Sequence, residues 1–191
     1  TYPFVTSSSP TTAGAALGSG IAPSKIDEVV GVTKAYLTRV GSGPFPTELE
    51  DEVGEMIRDK GQEFGTTTGR PRRCGWLDLV MLELSHRICG FTSLAITKLD
   101  ILSDMEEIKI CTSYKLDNGT QIKHFPSSLS HLAKCSPVYK TFTGWSSSDI
   151  DISKGIIPVE MRVFLDFISE SLNIPISIVS LGPGRDETII S

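Results

Sequence analysis

The sequence predicts an α/β protein in which a layered, mixed β-sheet is flanked by helices. Two kinds of segment alternate along its 191 residues: stretches with apolar residues on one helical face, and short apolar runs typical of buried strands. A hairpin signal also occurs, because Asp117-Asn118-Gly119 separates two strand-like segments. Such alternation of helices and strands is typical of layered α/β folds.

Four helices are predicted from apolar periodicity and from helix start and stop signals. The first begins after Ser24, an N-cap residue, and ends before Gly41. The second has the capping-box spacing at Thr47–Glu50 and ends at Lys60. The others are a buried helix over 75–89 and a helix over 159–172, which begins after Pro158 and turns Val163, Phe164, Phe167, Ile168 and Leu172 inward.

Strands are predicted over 91–97, 108–114, 121–123 and 174–179. Alternating apolar residues over 2–5 predict one more short strand, followed by a long loop that completes a segment over 1–23. Residues 126–156 contain many Ser, Gly and Pro residues and few periodic apolar ones, so this stretch is predicted to be a loop-rich excursion with short elements.

Composition and charge exclude several classes of function. The formal net charge of −5 argues against broad binding to nucleic acid or anionic membranes. No apolar run approaches the roughly 18 residues that a membrane-spanning helix needs. The four cysteines form no C-x-x-C pair, which favours free thiols in a reducing compartment and hence a cytoplasmic location.

The first segment that can carry chemistry is 65–73, with the sequence Gly-Thr-Thr-Thr-Gly-Arg-Pro-Arg-Arg. Hydroxyls and loop N–H groups bind carboxylate or phosphate oxygens, and a guanidinium adds a planar fork that contacts either anion in a bidentate manner. Because the segment was expected to precede a helix, an anion site is one interpretation. A solvated basic turn is the other.

The second segment is 97–100, Thr-Lys-Leu-Asp, directly after the predicted strand over 91–97. A carboxylate at Asp100 could accept hydrogen bonds from the N1–H and the exocyclic amino group of guanine, a donor pair that adenine lacks. The stem of Lys98 could lie along the base. The pattern resembles the Asn-Lys-x-Asp motif of GTP-binding proteins, with Thr97 in place of Asn. A helix cap or a surface ion pair would also explain it.

The third segment is 180–184, Ser-Leu-Gly-Pro-Gly, after the last predicted strand. A glycine-rich turn lets backbone groups approach a flat ligand, and ligands of open α/β sheets bind at the carboxyl ends of strands. An ordinary Gly-Pro turn is the alternative.

These segments occur in one chain together with further family-typical stretches, and the whole resembles the adenylosuccinate synthetases. The resemblance runs in order along the chain, over 1–8, 34–36, 38–41, 43–48, 63–78, 97–100 and 182–186. One departure is the loop after Ser8, Ser-Pro-Thr-Thr-Ala-Gly-Ala-Ala-Leu over 9–17, where relatives usually carry a glycine pair and a threonine near its end.

The resemblance implies a P-loop-NTPase-like fold and a GTP-dependent ligation of IMP and L-aspartate to adenylosuccinate, with Mg²⁺ required. In this family the 6-oxygen of IMP is phosphorylated and the aspartate amine then displaces phosphate. A homodimer is also implied, in which an arginine is donated across the interface from a region that this chain does not show.

The resemblance also implies the binding residues. Thr6, Val40 and Arg70 would contact IMP. The loop would hold aspartate through Thr66, Thr67, Thr68, Arg70 and Arg72. GTP would be bound by Arg72, Lys98, Leu99, Asp100, Ser180, Leu181 and Gly182.

The family's Gly-Asp-Glu-Gly-Lys-Gly-Lys phosphate loop does not occur in these 191 residues. The resemblance therefore implies that they form a C-terminal portion of the enzyme, without the catalytic Asp and His and without the Mg²⁺ ligands. On that basis the chain alone is predicted to be inactive. The alternative is a non-catalytic guanine-nucleotide-binding module that uses 97–100 alone.

Overall fold

The computed structural model describes residues 8–190 of the chain. The strand predicted over 2–5 lies outside these residues. The described helices are α1 (Thr12–Ser19), α2 (Glu52–Lys60), α3 (Leu79–Cys89), α4 (Leu129–Leu132) and α5 (Val159–Leu172). The described strands are β1 (Val30–Lys34), β2 (Tyr36–Arg39), β3 (Arg73–Asp78), β4 (Ser93–Thr97), β5 (Glu107–Lys115), β6 (Gln121–Ile122), β7 (Ser136–Thr143), β8 (Ile176–Ser180) and β9 (Thr188–Ile190).

The strands form two sheets, which confirms an α/β fold with mixed sheets and flanking helices. The first has the order β1-β4-β8-β9, in which β1, β4 and β8 are parallel and β9 is antiparallel to β8. In the second, β5 is parallel to β3 and antiparallel to both β6 and β7, and β2 is antiparallel to β3. Because Ala35 alone separates β1 from β2, the chain passes from one sheet to the other at that residue.

One hydrophobic core joins both sheets to the helices. Its fully buried members include Tyr36 of β2, Ile96 of β4, Ile110 of β5 and Phe164 of α5. Phe164 packs edge-on against Phe142 of β7 and against Trp145, with ring centroids 5.5 and 5.4 Å apart. The two sheets are thus held in one packed unit, which fixes the relative positions of loops at their ends.

The predicted helix over 24–40 is wrong: the segment forms a short 3₁₀ turn and then β1 and β2. Its valines and threonines are β-branched and favour strands, and β1 pairs with β4 along its full length, from Val30 beside Ser93 to Lys34 beside Thr97. Gly31 allows the close approach, since a Cβ there would lie 2.8 Å from the Phe91 ring. The spacing of the apolar residues alone does not distinguish the period of a helix from that of a strand in this segment.

The predicted helix over 75–89 is half wrong, because β3 runs to Asp78 before α3 begins. Residues 74–78 are all buried, so this stretch has no polar face. Asp78 ends the strand and caps α3, as its Oδ1 accepts from the backbone N–H groups of Val80 (3.0 Å) and Met81 (3.2 Å).

The capping box predicted at Thr47 is also wrong, although α2 ends at Lys60 as expected. Asp51 caps this helix, with its Oδ1 accepting from Gly54 N at 3.0 Å. Thr47 is instead fully buried, and its carbonyl accepts a hydrogen bond from Trp76 N at 3.1 Å. The segment before α2 is therefore tied to β3 and is not part of the helix.

The remaining predictions are mixed. The hairpin of β5 and β6, the strands β4 and β8, and α5 at 159–172 are confirmed. The loop predicted up to residue 23 contains α1, and the loop-rich stretch over 126–156 contains α4 and the eight-residue strand β7. β9 was missed. Val163 is 53% exposed, so its predicted inward position on α5 is wrong.

Within residues 8–190, no helix is long and apolar enough to cross a membrane.

Gly75 provides a test of the packing between β3 and the segment before α2. A Cβ at this buried position would lie 2.7 Å from Phe45 Cζ and would collide with the Thr47 carbonyl. We expect Gly75→Ala to lower the free energy of unfolding by about 1–3 kcal/mol, because backbone cannot yield as a side chain does. Urea unfolding measures it.

Gly18→Ala is the matched control, because Gly18 lies on the exposed α1 with nothing within 4 Å of an added Cβ. It should stabilise by about 0.5–1 kcal/mol through helix propensity. Equal effects of the two substitutions would contradict the packing described here.

Candidate functional site

The candidate site lies where the parallel strands of the first sheet end. Lys34 ends β1, Thr97 ends β4 and Ser180 ends β8. The register places Lys34 beside Thr97, and Ile96 beside Val179, so the three strand ends are neighbours. This carboxyl edge is where open α/β sheets bind ligands. The sequence segments over 97–100 and 180–184, which are about 80 residues apart, are brought together here.

A buried carboxylate, Glu63, lies beside the ends of β1 and β4 with its side chain 1% exposed. Its Oε1 accepts from the Tyr36 hydroxyl at 2.6 Å and from Lys34 Nζ at 2.7 Å. Lys98 Nζ lies 3.5 Å from the same oxygen. Oε2 accepts from Arg72 Nη1 at 2.7 Å. Both oxygens are thus occupied, and one negative charge faces three positive ones.

The surroundings of Glu63 set its ionisation. Burial alone would raise the pKa of this carboxyl, but the hydrogen bonds from Lys34, Tyr36 and Arg72 outweigh burial and lower the pKa to about 2. Burial, followed by the hydrogen bond to Glu63, raises the pKa of Tyr36. Glu63 is therefore ionised and Tyr36 neutral at any ordinary pH, and the cluster keeps an excess of positive charge.

The loop over 65–73 extends from this carboxylate. Its stem is closed by hydrogen bonds from Gly65 N to the Arg70 carbonyl at 2.8 Å and from Arg72 N to the Glu63 carbonyl at 2.9 Å. Between them, 66–70 are exposed, and Gly69 has a φ of +62°. Thr66, Thr67, Thr68 and Arg70 thus project at the tip, while Arg72 lies at the base.

The expected helix after this loop is absent, because β3 follows it. An anion at this loop would therefore be held by side chains and loop N–H groups, without a helix N-terminus.

The segment over 97–100 turns sharply after β4. Lys98 has a φ of +60°, a left-handed conformation that aims its side chain back over the edge, where Nζ donates to the Gly61 carbonyl at 2.6 Å. Leu99 is fully buried and anchors the turn in the core. Asp100 is left with a buried Oδ1 that has no hydrogen-bond partner within 8–190. A buried acceptor without a partner is costly, which suggests that a ligand supplies the donor.

The glycine-rich turn lies next to Asp100. Ser180 Oγ donates to the Gly182 carbonyl at 3.1 Å, and Leu181 N donates to the Glu187 carbonyl at 2.8 Å. A Cβ at Gly182 would collide with the Glu187 carboxyl group. Burial raises the pKa of Asp100, its own backbone N–H and Lys98 lower it, and Glu187 raises it further, so the two carboxylates lie within electrostatic range.

The other site residues predicted from the sequence lie at the margin or beyond the described chain. Val40 follows β2 directly and is 73% exposed. Its neighbour Arg39 pairs with Arg73, which places Val40 beside the end of the 65–73 loop. Thr6 lies outside the described residues.

Sequence reasoning missed Glu63, Lys34 and Tyr36 as site residues. The signal that could have found them is the motif segment over 63–78 itself, which begins at a charged residue next to the Thr/Arg loop. The helix predicted over 24–40 hid Lys34 and Tyr36, since it placed them away from any strand end.

The pH dependence of stability tests the Glu63 cluster. A lowered folded-state pKa contributes stability that is present above the unfolded value of about 4.5 and is lost as the pH falls toward 2. Above pH 5 we expect the free energy of unfolding of wild type to exceed that of Glu63→Gln by on the order of 1–3 kcal/mol. The difference is no larger because solvent screens the partly exposed cations. That difference should narrow between pH 4.5 and 2.

Urea unfolding at several pH values measures the difference. Glu83→Gln, which changes a 46% exposed side chain on α3, should differ little from wild type in its free energy of unfolding at each pH. A gap between wild type and Glu63→Gln that stays the same from pH 6 to pH 3 would contradict the cluster.

The sequence model of the adenylosuccinate synthetase family matches residues 1–189. An adenylosuccinate synthetase of Caldanaerobacter subterraneus is 53% identical over 191 residues, which is 100% of this chain and 44% of that relative. One from Chlorobaculum parvum is 54% identical and covers 99% of this chain and 43% of its own length.

Among solved structures, the fully ligated adenylosuccinate synthetase of Plasmodium falciparum superposes with a TM-score of 0.92 at 42% identity, over 100% of this chain and 46% of its own. A cyanophage S-2L succinoaminodeoxyadenylate synthetase, bound to dGMP and dATP, gives a TM-score of 0.55 at 18% identity and shares the fold alone. The chain spans less than half the length of these proteins. It belongs to the adenylosuccinate synthetase family.

Proposed function

We propose that this chain contributes the guanine-, aspartate- and IMP-binding segments of an enzyme that ligates IMP and L-aspartate to adenylosuccinate with GTP. The observation that carries the proposal is the buried, unpartnered Oδ1 of Asp100, at the carboxyl edge and beside a glycine-rich turn. Family membership supports the same activity.

Guanine would be read by Asp100. Its carboxylate accepts from the N1–H and amino group of the base, which gives the orphaned Oδ1 its partner. A site of this kind rejects a base without these donors by on the order of 10⁴-fold, because its buried polar group is then left unpaired. Lys98 and Leu99 form the turn that holds the carboxylate, and Ser180, Leu181 and Gly182 close over the base.

Aspartate would be held by the 65–73 loop. The exposed hydroxyls of Thr66, Thr67 and Thr68 donate to its carboxylates, and Arg70 and Arg72 add charge-assisted bonds. Arg72 is held at the loop base by Glu63 and so lies between the loop and the Lys98 turn. Arg72 would therefore contact both aspartate and GTP.

IMP would be contacted by Thr6, Val40 and Arg70. Val40 is exposed beside the end of the loop, where its backbone could face a ribose. Arg70, at the loop tip, could reach both IMP and aspartate, which would orient the amine toward the 6-position of the purine.

The adenylosuccinate synthetase family uses Mg²⁺. No group of three or more His, Cys, Asp or Glu side chains within 8–190 could hold a metal ion. We therefore derive no step through Mg²⁺ here. Its ligands, the catalytic Asp and His and the phosphate loop are proposed to lie in the remaining portion of the enzyme. The C-terminal placement, the P-loop-like fold, the homodimer and the cytoplasmic location stay predictions.

The experiment is adenylosuccinate formation from IMP, aspartate, GTP and Mg²⁺, measured for the 191-residue chain alone and for the chain combined with the remaining portion of the family's sequence, here called the reconstituted enzyme. We expect no turnover from the chain alone, since general acid–base groups must reach the 6-oxygen. The reconstituted enzyme should be active. Turnover by the rigorously purified chain alone, or none from the reconstituted enzyme, would contradict the proposal.

The alternative function, a guanine-nucleotide-binding module, makes a different prediction for ligands. Such a module uses 97–100 and has no need for the 65–73 loop. Thermal unfolding with GDP and with IMP separates the two, since a module is stabilised by GDP alone. The exposed hydroxyl and arginine residues at the loop tip favour the synthetase.

Asp100→Asn tests the guanine assignment in the reconstituted enzyme. The amide oxygen can still accept from N1–H, but the N–H₂ then faces the 2-position, where guanine has an amino donor and xanthine a carbonyl acceptor, so GTP should bind less tightly and xanthosine triphosphate should become the better nucleotide. Comparing kcat/KM for the two nucleotides measures the switch. Asp104→Asn, at the other side of the same turn, is the control. An unchanged base preference would remove Asp100 from the guanine site.

A further inference from the structure

Glu63 was not assigned a role by the sequence motifs, yet it touches two segments that the proposed function gives to different substrates. Arg72 belongs to the aspartate loop and donates to Oε2 at 2.7 Å. Lys98 belongs to the guanine segment and lies 3.5 Å from Oε1. A single carboxylate thus contacts a cation of each segment, and Lys98 Nζ also donates a hydrogen bond to the Gly61 carbonyl at 2.6 Å.

The position of Glu63 is itself rigid. Its side chain is 1% exposed, and the chain around it is held by hydrogen bonds from Glu63 N to the Arg58 carbonyl at 2.8 Å and from Arg72 N to the Glu63 carbonyl at 2.9 Å. The Tyr36 hydroxyl, on a fully buried ring, adds the 2.6 Å bond to Oε1. The carboxylate is therefore held in one position, and the cations are oriented around it.

The side chains of the three cations are more exposed to solvent than that of Glu63. The side chains of Lys34, Arg72 and Lys98 are 27%, 29% and 37% exposed. Each keeps donors open to solvent after its contact with Glu63, since an ammonium has three donors and a guanidinium five. A buried anchor with half-exposed cations around it presents preorganised positive charge to an incoming anion.

We infer that Glu63 is a positioning residue, which holds Arg72 and Lys98 in place for aspartate and for the guanine nucleotide and does not itself touch either ligand. This inference rests on the proposed function. Lys34 is the third cation at Glu63: its Nζ also donates to Thr38 Oγ1 at 3.0 Å, so it is held on the side of β2.

The role predicts a selective kinetic effect. Glu63→Gln removes the charge and turns an N–H₂ group toward a cation, so Arg72 and Lys98 lose their common anchor. In the reconstituted enzyme we expect KM for aspartate and for GTP to rise on the order of 10- to 100-fold, as for truncation of a buried charge pair. KM for IMP should change less than about threefold, because within 8–190 the Glu63 carboxylate contacts Lys34, Tyr36, Arg72 and Lys98, and neither Val40 nor Arg70.

Two further variants make the test decisive. Glu63→Asp keeps the charge on a shorter stem, so its KM values for aspartate and GTP should fall between those of wild type and Glu63→Gln. It also remains as the test variant if Glu63→Gln does not fold. Glu83→Gln, on the exposed face of α3, should behave as wild type. If Glu63→Asp and Glu63→Gln leave the three KM values unchanged, or raise all three together, the positioning role is wrong.

A binding measurement separates this inference from the proposed function. If the wild-type reconstituted enzyme forms no adenylosuccinate, the proposed function fails, and calorimetric titration with GDP still compares wild type with the Glu63 variants. A GDP dissociation constant raised about tenfold or more in Glu63→Gln supports the anchor for Lys98. An unchanged constant overturns it.

Discussion

The ion cluster around Glu63 is the interaction on which the candidate site depends. Its carboxylate is enclosed, and a buried charge without partners would be costly, so the cations from β1, from the loop base and from the turn after β4 must all converge on it. Three segments that are distant in sequence are thereby fixed in one place. The same contacts leave a surplus of positive charge at the edge of an acidic protein.

The parallel arrangement of β1, β4 and β8 is what makes this convergence possible. Parallel strands end at the same edge, so the residues that follow them share one surface. The core beneath is packed from both sheets and from α5, which prevents the strand ends from shifting independently. At the exposed tip of the 65–73 loop, in contrast, the hydrogen bonds run within the loop itself, from Gly69 N to the Gly65 carbonyl at 2.7 Å and from Arg70 N to Thr68 Oγ1 at 3.5 Å.

The sequence predicted the fold class, and it predicted those elements whose signals were local. The Asn118-Gly119 hairpin and the helix after Pro158 were correct because the turn and cap residues specify them without distant partners. It failed where pairing decided the structure. Val29 to Val40 fit a helical face and a strand equally well, and only hydrogen bonding to β4 and β3 selected the strands. The same reason explains Thr47, which is bound to Trp76 rather than capping α2.

By itself the sequence determined the chemical inventory: the hydroxyls and guanidiniums of the loop, the Lys98–Asp100 pair and the glycine-rich turn, since residue types and short spacings are local facts. Only the tertiary structure decided which of these groups meet. The burial of Glu63 and the orphaned oxygen of Asp100 are properties of packing between remote segments. Solvent exclusion, which no local pattern encodes, is what distinguishes these two carboxylates from the exposed acidic side chains of the chain.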